Sequence, residues 1–203
     1  MNIRASQPTD INDVAELMYS AGPELYDFIY STPHKKPLDY IRFEFKSGRG
    51  FCGHQNVTVA EVDGRAVATG CFYDGRMYAS LLKGTLANMF KFYGPIRAWT
   101  PLIRANHTKS VMHPPRPDEL YLSNFGVAPS LRGSGIGTAL MKTKIETAKA
   151  AGYQKFSLDV ADTNPRAEQL YRRLGLDCVK QKTFSGKRSG ISVPNAKKME
   201  LKL

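Results

Sequence analysis

Val127-Ala128-Pro129-Ser130-Leu131-Arg132-Gly133-Ser134-Gly135-Ile136-Gly137-Thr138-Ala139-Leu140-Met141 is the stretch on which the fold turns. A strand-like run from Glu119 to Val127 leads into it, three glycines bend it, and a helical pattern from about Gly135 to Ala151 leaves it. Glycine lets the backbone approach a ligand closely and leaves the amide N–H groups uncovered. At the start of a helix those groups point outward, and the aligned peptide dipoles favour negative charge there. Arg132 adds a fixed positive charge. These properties describe a phosphate or diphosphate cradle. The Lys-Ser/Thr pair of a P-loop is absent, and the glycines stand closer together than in the dinucleotide fingerprint. On these residues alone, a tight strand-to-helix turn with no ligand is the alternative.

A second strand–helix unit follows. Leu158-Asp159-Val160-Ala161-Asp162-Thr163-Asn164-Pro165-Arg166-Ala167 runs into Leu170-Tyr171-Arg172-Arg173-Leu174-Gly175-Leu176. Asn164 before Pro165 suits a helix start, and Gly175 suits its stop.

Together the two units resemble the GNAT superfamily of N-acetyltransferases. The family's Gln/Arg-x-x-Gly-x-Gly/Ala signature is met by Arg132, Gly135 and Gly137. Its second half is a strand, an Asn-x-x-Ala helix start and Leu-Tyr-x-x-Leu-Gly-Phe, with Leu176 in place of the last Phe. The likeness is strong from Glu119 to Leu176 and looser before it. It implies an α/β (α+β) fold: a mixed, mostly antiparallel central sheet flanked by helices.

The resemblance also implies roles. Main-chain amides of Arg132, Gly133, Gly135, Ile136, Gly137 and Thr138 would hold the diphosphate of acetyl-CoA. The strand before the turn would splay from its neighbour and bind the pantetheine arm, placing Phe125 and Val127 beside the thioester, where an N–H polarises the carbonyl. Asn164 would touch the same arm, or serve only as a helix cap. Tyr171 matches the tyrosine that protonates the departing thiolate; a core aromatic is the other reading. Glu119 shares a strand face with Tyr121 and Ser123, so it is the candidate base for the acceptor amine, with a solvated strand start as the alternative.

Outward from this block the chain reads as one domain over residues 1–203. Asp63-Gly64 separates two alternating β-branched runs, a strong hairpin signal. Short helices are expected near 11–18, 24–30 and 38–46. The aromatic run Tyr26, Asp27, Phe28, Tyr30 either meets a cationic amine or is half core. Residues 78–117 exceed an ordinary connection and are expected to form a helical insertion before the central strand, roofing the acceptor site or making a subunit contact in a homodimer. His107 and His113 lie there without partners at ligand spacing, so no metal is expected.

Lys and Arg total 29 against 18 Asp and Glu, a net charge of +11. Such a surplus favours polyanionic ligands, but no nucleic-acid recognition element accompanies it. The basic tail (Lys180, Lys182, Lys187, Arg188, Lys197, Lys198) is either a solvated face, a partner for CoA phosphates, or an approach for an acidic substrate. The three cysteines form no CxxC pair, and each is expected to pack as a small buried hydrophobe. The start lacks a signal-like apolar core and no run is long enough to span a bilayer, so a cytoplasmic protein without a membrane partner is expected. The leading expectation is direct acetyl transfer from acetyl-CoA, as cosubstrate, to a small-molecule or peptide amine. A non-catalytic acyl-CoA-binding module stands second, and a nucleic-acid binder third.

Overall fold

The computed structural model describes residues 1–203 except His113 and Ser189. Seven strands form one sheet: β1 (Asn2–Ala5), β2 (Val57–Val62), β3 (Arg65–Tyr73), β4 (Glu119–Val127), β5 (Lys155–Ala161), β6 (Asp177–Lys182) and β7 (Ala196–Lys202). Their order is β1-β2-β3-β4-β5-β7-β6, and only β4 and β5 run parallel. The sheet is therefore mixed and mostly antiparallel. Asp63 and Gly64 both take positive φ (50° and 76°), the turn whose twist matches the strands it joins.

The helices are α1 (Ile11–Tyr19), α2 (Pro23–Tyr30), α3 (Pro37–Ser47), α4 (Gly75–Tyr93), α5 (Trp99–His107), α6 (Ile136–Ala150) and α7 (Pro165–Arg173). On one face, α1 to α3 bury Val14, Met18, Phe28, Tyr40 and Phe45 against Val57, Val59 and Cys71. On the other, Met141 and Ile145 of α6 and Tyr171 of α7 pack on Leu122, Phe156 and Leu158. Alternation along each strand sends neighbours to opposite faces, so Cys71 and Phe72 serve different clusters. Gly126 fixes how closely α1 lies on β4: a Cβ there would sit 2.2 Å from the Leu17 carbonyl oxygen.

Between β3 and β4 stand two helices. α4 begins at Gly75, ahead of the apolar periodicity, because the Asp74 carboxylate accepts the N–H groups of Arg76 (2.9 Å) and Met77 (3.0 Å). It is tied to α3 at Glu44, which accepts Thr85 Oγ1 at 2.5 Å. Among the described residues no helix is long and apolar enough to cross a membrane.

One open sequence expectation is decided and another changes. Tyr26, Phe28 and Tyr30 are all buried, so that run is core, and Asp27 accepts the Tyr19 hydroxyl at 3.1 Å. Cys52 and Cys71 are buried as expected, but Cys178 is only half-buried because β6 is the outermost strand.

Candidate functional site

β4 and β5 start as partners and then part. Their pairing ends at Leu122 with Leu158, yet β5 continues with β7 to Ala161 and β4 with β3 to Val127. The cause is in β4. Between the pairs Thr69–Gly126 and Cys71–Ser123 it carries one extra residue, a bulge, with Asn124 at φ 52°. Asn tolerates this region better than most residues, and the Asn124 amide points to the sulfurs of Cys52 (3.6 Å) and Cys71 (3.5 Å). From Ser123 to Val127 the backbone groups facing β5 therefore have no strand partner on that side.

The wedge opens toward the start of α6. Gly133 and Gly135 hold φ 95° and 87°, conformations that bulkier residues resist, and nothing lies within 4 Å of where a Gly135 side chain would begin. Among the described residues no protein oxygen accepts the N–H groups of Gly133, Gly135, Ile136, Gly137 or Thr138. Arg132 N–H, expected among the donors, is instead taken by the Pro129 carbonyl at 3.3 Å; Ser134 bonds back to Leu131, and Ala139 is the first residue to bond into the helix, to Gly135 O at 2.9 Å. An outward row of donors remains at the positive end of a 15-residue helix. Arg132 extends over the wedge with its Nε on the Val127 carbonyl at 3.1 Å. Gly137 lets α6 lie close to β4, since a Cβ there would meet Val127 and Phe125 side chains at 3.0 and 3.1 Å.

The groove so formed has a volume of about 380 Å³ and is lined by Phe125, Val127, Arg132, Gly133, Gly135, Gly137, Thr138, Asn164 and Tyr171. The structure brings these sequence-selected residues together. Ile136 turns inward beside Ala60, Ala68 and Leu140 and offers the groove only its N–H. Asn164 caps α7, its Oδ1 accepting Ala167 N–H at 3.1 Å, which leaves its amide hydrogens for a ligand. Tyr171 is 6% exposed, its ring near Phe125 (centroids 6.3 Å apart), and its hydroxyl has no protein partner among the described residues. Burial pushes that hydroxyl's pKa above the ordinary tyrosine value, so it stays protonated at neutral pH.

Glu119 does not reach the groove. It lies at the paired end of β4, where Oε1 accepts Ser157 Oγ and Lys198 Nζ (2.9 Å) and Oε2 accepts Arg116 N–H (3.2 Å). Burial pushes its pKa up, but the Ser157 and Lys198 contacts outweigh that and hold it below the usual carboxylate range. It lies away from the groove and neutralises Lys198.

The carboxylate that does line the groove is Asp159, which sequence reading passed over. Tyr121 Oη donates to it at 2.9 Å and Lys182 Nζ at 2.7 Å, with the Lys182 side chain only 2% exposed. Burial raises the Asp159 pKa despite these two contacts. The available signal was a lone carboxylate amid the apolar alternation Leu158-Asp159-Val160. Part of the basic tail is thus internal: Lys182 meets Asp159, Lys198 meets Glu119 and Glu200, and Lys197 meets Glu168. Arg188 donates to the carbonyls of Asp27 and Phe28. Among the described residues no group of three His, Cys, Asp or Glu converges as metal ligands. His107 packs edge-on to Phe28, and His113 lies outside the described residues.

Comparison with known proteins bears on the family and the fold. The model of the Acetyltransferase (GNAT) family matches residues 19–176. A curated relative, the mouse thialysine N-epsilon-acetyltransferase, is 43% identical over 56 residues, which is 28% of this chain and 33% of that protein; the match thus spans about a third of the relative. Among solved structures, an N-acetyltransferase from Staphylococcus aureus Mu50 superposes with TM-score 0.73 at 21% identity, covering 99% of this chain and 100% of that one. A Salmonella typhimurium protein solved with its cofactor acetyl-CoA gives 0.59 at 17%, covering 100% and 93%. At these identities the structural matches speak for the fold.

Proposed function

Because the chain belongs to the GNAT family of acetyltransferases, we propose that it transfers an acetyl group from acetyl-CoA directly to a primary amine of a small molecule or peptide. One observation carries this reading: an unpartnered row of main-chain donors at the start of α6 opens into a groove that follows the unpaired half of β4 to the Tyr171 side chain. The fit to the cosubstrate rests on the same feature, since a diphosphate supplies the acceptors those donors lack.

Acetyl-CoA supplies a thioester whose acyl carbon is open to attack by an unprotonated amine. The N–H groups of Gly133, Gly135, Ile136, Gly137 and Thr138 hold the diphosphate, and Arg132 adds charge above it. Ser123 to Val127 receive the pantetheine arm as an added strand would be received. An N–H beside Phe125 or Val127 donates to the thioester oxygen as negative charge develops there. Asn164 contributes its free amide hydrogens to the arm. Tyr171 donates its hydroxyl proton to the departing sulfur and regains one through the groove, because a buried phenolate is costly. The amine's proton leaves to Asp159, directly or through water; its place in the groove and its raised pKa support that role. Glu119, the base expected from sequence, is not needed in this scheme. Holding donor and amine together supplies much of the rate, so no covalent enzyme intermediate is required.

The test is an acetyl-CoA assay against an amine panel that includes thialysine, polyamines and peptide N-termini, read by thiol release and by mass. Amine-stimulated thiol release with product gaining one acetyl group supports the proposal. Acetyl-CoA binding without turnover on any amine would favour the non-catalytic module instead.

A further inference from the structure

The outer surface of α4 and α5 takes no part in the site. Leu82, Leu86 and Phe90 recur every four residues along α4 and are 37–39% exposed. On α5, Trp99 and Ile103 share a face at 60% and 62%, and Ile96 in the connecting turn is 85% exposed. The Phe90 and Trp99 rings meet edge to face at 6.1 Å, joining the two stripes into one apolar ridge. A continuous exposed ridge of large side chains marks a surface that meets something.

Charge decides what. From Gly75 to Pro117 the chain has no Asp or Glu, against seven Lys and Arg. Arg76 is held by Asp74 and Arg104 by the Ser31 carbonyl. Lys83, Lys91 and Arg97 are exposed, and among the described residues no carboxylate lies within 4.0 Å of them. A second copy packed on this ridge would bring these cations against their own equivalents, with no acidic residue in the segment to separate them. The occupant must be both apolar and anionic. Its apolar part must also be soft, because Ile96, Trp99 and Ile103 protrude, 60–85% exposed.

We propose that the α4–α5 hairpin seats the protein on an anionic lipid bilayer, with Leu86, Phe90, Ile96, Trp99 and Ile103 in the acyl–headgroup boundary and Lys83, Lys91 and Arg97 on lipid phosphates. A basic amphipathic hairpin with aromatic anchors has the composition of helices that lie in that interface. The proposal departs from the sequence expectation of no membrane partner, which rested on the lack of a spanning run; surface docking requires none.

Trp99 is the only tryptophan in the chain, so its emission reports the ridge directly. The protein is mixed with phosphatidylcholine vesicles, with or without a third of phosphatidylserine, and followed by Trp99 emission, quenching by brominated lipid, and co-sedimentation. The expected result is a blue shift and quenching only with anionic vesicles, fading as salt is raised. Lys83→Glu with Arg97→Glu should lower anionic-vesicle partitioning at least about twentyfold. Ile96→Ser with Ile103→Ser should abolish quenching while the melting temperature is retained. Absence of binding to either vesicle at low salt overturns the proposal, as does equal binding to both. Dimerisation without lipid that Ile103→Ser abolishes would assign the ridge to a second copy and also overturn it. Binding to soluble acidic protein with no response to vesicles has the same consequence.

Discussion

Replacing Tyr171 by Phe isolates a single oxygen. The ring is buried against Phe125, and Phe keeps every ring contact. The hydroxyl has no protein partner among the described residues, so losing it removes no hydrogen bond and relieves desolvation. Stability should be unchanged or raised by up to about 1 kcal/mol, a melting shift of at most about 4 °C for a chain of this size. Loss of a positioned general acid typically costs about 10²- to 10⁴-fold, or roughly 3–5 kcal/mol of barrier. We therefore predict a fall in kcat of at least about a hundredfold, with acetyl-CoA affinity within about threefold of the parent. The assay is thiol release at saturating substrates, repeated under single-turnover conditions so that slow product release does not hide the step. Burial raises the hydroxyl pKa, so the parent enzyme should lose no activity to Tyr171 ionisation below about pH 10. A single-turnover rate within about threefold of the parent would refute the reasoning and leave the tyrosine a packing residue.

Three further outcomes are expected. Gly135→Glu places a side chain where φ is 87° and puts a carboxylate at the donors meant for the diphosphate; we predict a folded protein about 1–2 kcal/mol less stable whose CoA binding by calorimetry falls at least a hundredfold. Gly126→Ala drives a Cβ to 2.2 Å from the Leu17 carbonyl, backbone that cannot step aside, and should cost about 3 kcal/mol, seen as a melting drop of about 6–12 °C. Glu44 is fully buried with Oε2 unpartnered, and burial raises its pKa to about 7. The unfolded carboxyl titrates near 4.5, so the parent binds the extra proton only when folded and loses stability as pH rises from about 4.5 to 7. Glu44→Gln should therefore gain on the parent by up to about 3 kcal/mol between pH 4.5 and 8 in denaturant melts, and a pH-independent difference would contradict this.

The sequence carried local chemistry well and long-range partnership poorly. Asp63-Gly64, the glycines after Val127, and Asn164 before Pro165 each constrain their own backbone, so the hairpin, the α6 start and the α7 cap were legible from neighbours alone. The groove-lining residues came with them, because a main-chain donor row depends on glycine and helix position rather than on distant contacts. Glu119 and Asp159 show the opposite case. Which carboxylate faces the groove depends on where β4 and β5 part, and that depends on a bulge at Asn124 with no strong sequence mark. The basic tail misled for a related reason: Lys182 and Lys198 read as surface charge until β7 inserts between β5 and β6 and brings them to Asp159 and Glu119. The Asp74 cap precedes the first apolar repeat, so periodicity marks α4 from Tyr78 and not from Gly75.

A crystal structure with acetyl-CoA bound would locate the diphosphate and the thioester. Diphosphate oxygens are expected at roughly 3 Å from the N–H groups of Gly133, Gly135, Ile136, Gly137 and Thr138, the pantetheine arm along Ser123 to Val127, and the sulfur within reach of Tyr171 Oη. A diphosphate held elsewhere, such as on the lysines of the β6–β7 region, with the wedge between β4 and β5 empty, would contradict it.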